Sequence, residues 1–140
     1  LGEKISNTHY AFPTLESLSS ANEEFFKSVG LGYRASYMVK TCQMLKKIEL
    51  DNLKTLDTST LRCELMKLVG VGGKVADCIM LFGFGKQDVF PIDTWTNKVY
   101  LEHFYAGEKT REQIAEYFVD KFKNLSGYAQ QYLYYWKQTS

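Results

Sequence analysis

Proline is nearly absent from this 140-residue chain, which has only Pro13 and Pro91. With no long alternating run either, the pattern reads as helical almost throughout. Cysteine is scarce as well. Cys42, Cys63 and Cys78, an odd number without C-x-x-C spacing, argue against a disulfide framework and a zinc site and fit a reducing compartment. No apolar stretch reaches the length of a membrane span, and the N-terminus LGEKISNTHY has no signal-peptide pattern. It also lacks a starting Met, so a fragment of a longer protein is one expectation. Charge of one sign is missing: 17 basic against 16 acidic residues leave a net +1. Bulk charge therefore attracts neither nucleic acid nor membrane, and any anion site must be local. Histidine is reduced to His9 and His103, neither within a motif.

What remains is the composition of an ordinary globular protein, 45% hydrophobic and 24% charged, long enough for one domain over residues 1–140. Aromatics are plentiful, with ten Tyr and nine Phe. The stretch TLESLSSANEEFFKSVG predicts one or two short helices ending at Gly30. The next, YRASYMVKTCQMLKKI, places Ala35, Met38, Val39, Cys42 and Leu45 on one face. A short helix follows near Leu50 to Leu56, then one from about Ser59 to Leu68 marked by Leu61, Leu65 and Leu68. Beyond a glycine break, Val75, Cys78, Ile79 and Phe82 recur at i, i+3, i+4 and i+7 and predict the apolar face of another helix. KQDVFP reads as a loop, and Asp93 as a helix N-cap. TREQ reads as a capping box for a helix carrying Ile114, Phe118 and Phe122. A last helix, about Gly127 to Lys137, holds the run from Tyr132 to Trp136, part of which must be core. The expected fold is an all-α helical bundle.

The glycine break, VGVGG, links two helices as a hairpin of about five residues. Gly70 and Gly72 are expected to take positive φ and to let another backbone approach. The first N–H groups of the second helix have no intrahelical partner and carry the positive end of its dipole, so the loop can bind a phosphate without side-chain charge. A plain glycine C-cap is the simpler reading. Lys74 then stands in the first turn of that helix, where the dipole disfavours a cation. Partial burial would disfavour the charged form further, and the neutral amine is the nucleophile. The bland alternative is a lysine reaching out to solvent or phosphate. Asp93, nineteen residues on and approached through VFPI, reads as a cap that could also stabilise positive charge developing on a sugar ring.

LVGVGGKVADC followed by VFPIDTW, with GLGYRA (Gly30 to Ala35) and GYAQQYLY (Gly127 to Tyr134), resembles the helix-hairpin-helix DNA glycosylases, and within them the 8-oxoguanine branch. The resemblance runs along nearly the whole chain and implies a base-excision-repair glycosylase and AP lyase. Lys74 would attack C1′ of the damaged nucleotide, expel the base and form a Schiff base that permits β-elimination. Asp93 would stabilise the oxocarbenium-like transition state. Cys78 and Tyr134 would pack on the two faces of the flipped base, and Gln130 would bond its Watson–Crick edge. Tyr33 would fill the vacated step, and Arg34 would read the opposite cytosine.

Gly70, Gly72 and Gly73 would dock phosphate. Carbonyls of Met66, Leu68 and Val71 would hold a monovalent cation, and no cofactor is required. Val69 stands where the family often has Pro, and Trp95 stands where relatives can carry a phosphate-contacting His. The partner implied is double-stranded DNA containing 8-oxoguanine, bound by a monomer, without a membrane. The location implied is intracellular: cytoplasm or nucleoid in a bacterium, nucleus in a eukaryote. The likeness is to the C-terminal catalytic part of the family. The N-terminal sheet domain, which in the family supplies a carbonyl recognising N7–H of 8-oxoguanine, is absent from this chain.

Two other readings use the same residues. A non-catalytic helix-hairpin-helix module would bind DNA through the loop alone, but would need neither Lys74 nor Asp93. A same-fold glycosylase for another damaged base is the second. Its iron–sulfur branches often carry four clustered cysteines, which three scattered ones do not provide. The weak net charge predicts that DNA binding rests on few phosphate contacts. Affinity measured against salt concentration is expected to fall with a shallow slope, and a steep one would contradict a local clamp.

Overall fold

Thr14, Asn22, Asp57, Asp93 and Thr110 each stand one residue before a helix, and each side chain accepts from a backbone N–H three residues on. These are the positions at which a short polar side chain satisfies an orphan donor. The computed structural model describes all 140 residues. Its α-helices are α1 (Leu15–Ser20), α2 (Glu23–Ser28), α3 (Arg34–Leu45), α4 (Leu50–Lys54), α5 (Thr58–Met66), α6 (Gly73–Gly83), α7 (Thr94–Val99), α8 (Arg111–Phe122) and α9 (Ser126–Thr139). A π-helical turn at Tyr100–Phe104 continues α7, and a 3-10 turn at Lys123–Leu125 precedes α9. The only β-type pairing is an isolated bridge between Lys4 and Tyr10. No helix is long and apolar enough to cross a membrane.

The chain divides into two compact units, Leu1–Thr55 with Leu68–Gly70, and Leu56–Lys67 with Val71–Ser140. In the first, α3 packs on α1 and α2, burying Phe26, Ala35 and Cys42. Burial pushes the Cys42 thiol up, as befits an inert packing group. The Thr41 hydroxyl donates to the Val69 carbonyl at 2.8 Å. Gly70 sits at φ 81° with its α-carbon against the Tyr37 ring, where an added Cβ would stand 2.5 Å from Cδ2. The turn thus needs glycine twice over, for its dihedral and for its closeness.

In the second unit α5 packs on α6, and α9 lies against α7 and α8. The core is Phe90, Ile92, Tyr100, Ile114 and Phe118, each buried side chain of this kind stabilising by about 1.5–3 kcal/mol. Phe90 and Phe118 stack with ring centroids 4.4 Å apart. The buried Tyr100 hydroxyl donates to the Gly107 carbonyl at 2.9 Å and accepts from the Ala106 N–H, so its polar end is satisfied. The segment from Lys86 to Asp93 has no regular structure yet is pinned. Lys86 Nζ donates to the Leu56 carbonyl at 2.7 Å, and the Thr58 hydroxyl donates to Asp88 at 2.6 Å. Val89, Phe90, Pro91 and Ile92 are buried.

One expectation about packing fails. The buried residues of α6 are Ala76, Asp77, Met80 and Leu81, whereas Val75 is 41% exposed and Phe82 65% exposed. The helix is apolar on nearly every side, so spacing alone does not choose its inner face. The aromatic run of α9 is in part core, as expected: Leu133 packs against the core and Tyr134 is half-buried, while Tyr132, Tyr135 and Trp136 are exposed.

Gly70→Ala is expected to cost about 2–5 kcal/mol, from the left-handed dihedral and the collision with Tyr37, as read by chemical denaturation. At the start of α5, bonds from Ser59 and Thr60 hold the Asp57 carboxyl well below its ordinary 3.8. A depressed carboxylate stabilises the fold above its unfolded value and loses that effect as pH falls. The stability gap between wild type and Asp57→Ala is therefore expected to be full at pH 6 and to shrink on acidification below about 3.8.

Candidate active site

The α5–α6 hairpin runs through the turn 67–72. Gly72 is the N-cap of α6 at φ −94° and ψ 179°, with no side chain to cap the helix. Of the two glycines expected at positive φ, only Gly70 takes it, because Gly72 serves as an extended N-cap. Nothing lies within 4 Å of where a Gly72 Cβ would be. The space beside Gly72 is open, and the first amides of an α-helix, with the dipole behind them, suit an anion.

Lys74 is the second residue of α6 and is exposed. The condition of partial burial, which would have favoured the neutral amine further, is therefore not met. Lys74 lines a cavity of about 240 Å³ together with Gly72, Gly73, Val75 and Ile92, and with Arg62, Asp77, Arg111, Glu112 and Ala115. Ile92 is the residue before Asp93. The Asp93 carboxylate accepts from the Thr96 N–H at 2.8 Å and the Thr96 hydroxyl at 2.9 Å, both on Oδ1. The Asp93 N–H in turn donates to the Thr96 hydroxyl, closing a capping box. Oδ1 is thus occupied by the cap, and Oδ2 is left for other chemistry.

Cys78 lies one turn beyond Lys74 and is half-buried. Gln130 is only 4% exposed. Its Nε2 donates to the Pro91 carbonyl at 3.2 Å, and its Oε1 accepts from Gln131, so its amide is oriented by the loop that leads to Asp93. The hydroxyl of Tyr134 accepts from Gln138 at 3.1 Å. Trp95, on the first turn of α7, is 36% exposed, with Lys98 Nζ 4.9 Å above its ring.

In the first unit, Tyr33 precedes α3 and is 67% exposed, edge-on to Tyr37 with the Arg34 guanidinium 4.7 Å from its centroid. Met66 ends α5, and the Leu68 and Val71 carbonyls accept no hydrogen bond from the chain. No group of three or more His, Cys, Asp or Glu side chains that could hold a metal ion is present.

Sequence reasoning missed Arg62 and Asp77. Arg62 Nε donates to Asp77 Oδ1 at 2.7 Å, and the Asp77 side chain is 8% exposed. Burial pushes the Asp77 carboxyl up while Arg62 pulls it down, and the hydrogen bond to Asp77 pushes the guanidinium up. No sequence signal marked them, since the inner face of α6 is chosen by packing; once Asp77 is inside, its buried charge requires a partner. A larger cavity of about 620 Å³ shares Arg62, Asp77, Glu112 and Ala115 but carries Asp88, Glu116 and Asp120 at its edge. Its mainly acidic lining disfavours phosphate; the smaller cavity is taken as the candidate site because Lys74 lines it.

Residues 3–124 match the family described as HhH-GPD superfamily base excision DNA repair protein. The chain is 31% identical over 137 residues to a probable N-glycosylase/DNA lyase of Methanothermobacter thermautotrophicus, spanning 91% of this chain and 44% of that protein. It is 33% identical over 147 residues to N-glycosylase/DNA lyase OGG1 of Arabidopsis thaliana, spanning 96% of this chain and 40% of that protein. Its fold matches a Clostridium acetobutylicum 8-oxoguanine glycosylase/lyase at TM-score 0.92 and 36% identity, over 99% of this chain and 49% of that one. That enzyme was crystallised with double-stranded DNA containing cytosine opposite 8-oxoguanine. A 3-methyladenine DNA glycosylase from Archaeoglobus fulgidus, at 24% identity and TM-score 0.77, shares the fold. The chain spans less than half the length of each of these relatives. On the family match, which takes in all but the first two and last sixteen residues, the chain belongs to the HhH-GPD superfamily of base excision DNA repair proteins.

Proposed function

We propose that this chain carries the reactive centre of a bifunctional DNA glycosylase and AP lyase acting on 8-oxoguanine in duplex DNA. One observation carries the reading. A lysine lies directly after the uncapped N-terminus of α6 and lines one cavity with Ile92, the neighbour of a carboxylate whose Oδ2 is uncommitted. Binding of a phosphate backbone needs only the amides, so the lysine and the carboxylate point to chemistry.

In this reading the first amides of α6, at Gly72 and Gly73, dock a phosphate with Gly70 setting the turn. Trp95 and the start of α7 hold the neighbouring backbone. Tyr33 fills the step vacated by the flipped nucleotide, and Arg34 reads the opposite cytosine. Cys78 and Tyr134 enclose the base, and the amide of Gln130 bonds its edge. Lys74 Nζ attacks C1′. The C1′–N bond breaks with its electrons going to the base, which takes up a proton, and the Asp93 carboxylate stabilises the positive charge developing on the sugar. The amine then forms an iminium with the opened sugar. Loss of a C2′ proton expels the 3′ phosphate. Carbonyls of Met66, Leu68 and Val71 are the candidate ligands of a monovalent cation at the turn. The partner is duplex DNA, bound by a monomer inside the cell.

The test is strand cleavage of a duplex bearing 8-oxoguanine opposite cytosine, alongside the same duplex with an abasic site. Lys74→Gln is expected to reduce cleavage of both to background while leaving binding in place. Asp93→Asn keeps an equally good cap, so its melting temperature stays near wild type while the rate falls about 10²–10³-fold. A folded wild-type chain that leaves the abasic duplex intact would sink the lyase reading.

A further inference from the structure

Arg62 uses its guanidinium at three points of the hairpin. Nε donates to Asp77 in the second turn of α6 at 2.7 Å, and one terminal nitrogen reaches the Met66 sulfur at the end of α5 at 3.6 Å. The other terminal nitrogen lies under Gly73, the first residue of α6, where an added Cβ would stand 2.5 Å from it. The planar group therefore fills the space between the two helices at the level where Lys74 leaves α6. Every other ion pair in the chain has a carboxylate side chain at least 39% exposed, against 8% for Asp77.

Burying a pair of charges is a poor route to stability. Desolvation offsets the attraction, and well-packed apolar residues of similar volume often do as well. What a buried fork adds is direction, since its donors lie in a fixed plane and fit their partners at one relative orientation. Asp77 is three residues from Lys74, so the two project from neighbouring points of the same helix. Fixing Asp77 against α5 therefore fixes the rotation of the first turn of α6.

We propose that Arg62 and Asp77 are positioning residues for Lys74. Their ion pair sets the rotation of α6 against α5 and with it the place of Lys74 Nζ at the mouth of the cavity that all three line. The inference rests on the reading of Lys74 as nucleophile. Neither Arg62 nor Asp77 touches the reacting atoms in this account. Their effect is transmitted through the helix.

The double variant Arg62→Met/Asp77→Leu removes both charges together, so that neither is stranded in the interior. Arg62→Lys keeps the charge but not the fork, and provides the test if the double variant fails to fold. The measurement is single-turnover cleavage of an abasic-site duplex at saturating enzyme, beside thermal unfolding and the affinity for a duplex carrying an uncleavable tetrahydrofuran site. The double variant is expected to unfold cooperatively and to cleave about 10–100-fold more slowly at saturation, the cost of misplacing a reacting group by about an ångström. Arg62→Lys is expected to melt near wild type and to lose about tenfold in rate. A merely structural role would lower the melting temperature and leave the saturated rate unchanged. Folded variants that cleave at the wild-type rate, whatever their DNA affinity, would overturn the inference while leaving the lyase reading intact. A wild type without cleavage would overturn both.

Discussion

The hairpin between α5 and α6 must present bare backbone amides and a lysine at one spot, and both are positive. The helix dipole and the ammonium group repel each other within the first turn, and a hairpin free to rotate would relieve that strain by turning Lys74 away. What opposes this is the contact between Arg62 and Asp77, a guanidinium and a nearly buried carboxylate 2.7 Å apart. Asp77 brings negative charge one turn beyond Lys74, and Arg62 keeps that charge compensated. In this account the rotation of the first turn of α6 follows from this pair.

From the hairpin the chain leads through α6 and an irregular segment held in place by four buried residues and by hydrogen bonds to Leu56, Thr58, Met80, Gly127 and Gln130. That segment delivers Asp93 to the start of α7, and the Pro91 carbonyl within it orients the amide of Gln130. The core of Phe90, Ile92, Tyr100, Ile114 and Phe118 thus supports the site directly, since Phe90 and Ile92 precede Asp93 by three residues and one. A rigid support of this kind lets one carboxylate oxygen serve as a cap while the other stays available.

Local features were legible in the sequence. Asp93 and Thr110 were readable as caps because a cap needs only a polar side chain and its partner three residues on, and both boxes form. The helix breaks near Gly30, Leu56 and the VGVGG turn followed from the same short-range chemistry. Features that depend on distant neighbours were not legible. The inner face of α6 could not be chosen from Val75, Cys78, Ile79 and Phe82, because Ala76, Met80 and Leu81 are as apolar and it is packing that selects them. That part of the run from Tyr132 to Trp136 is core was readable, but not which part: Leu133 packs on the core, and α9 buries Ser126, Gly127 and Gln130. Arg62 and Asp77 stand fifteen residues apart, and no local rule pairs them. Lys74 and Asp93 could be singled out as candidates because each breaks or serves a helix-end rule on its own. Arg62 was missed because its meaning comes only from the contact.

The most direct test is to treat an abasic-site duplex with the wild-type chain in the presence of borohydride, digest the trapped complex and locate the modified residue by mass spectrometry. The account predicts a single covalent adduct on Lys74, formed by reduction of the imine at C1′. An adduct on another amine, such as the N-terminus or Lys86, or none from the folded chain, would contradict it.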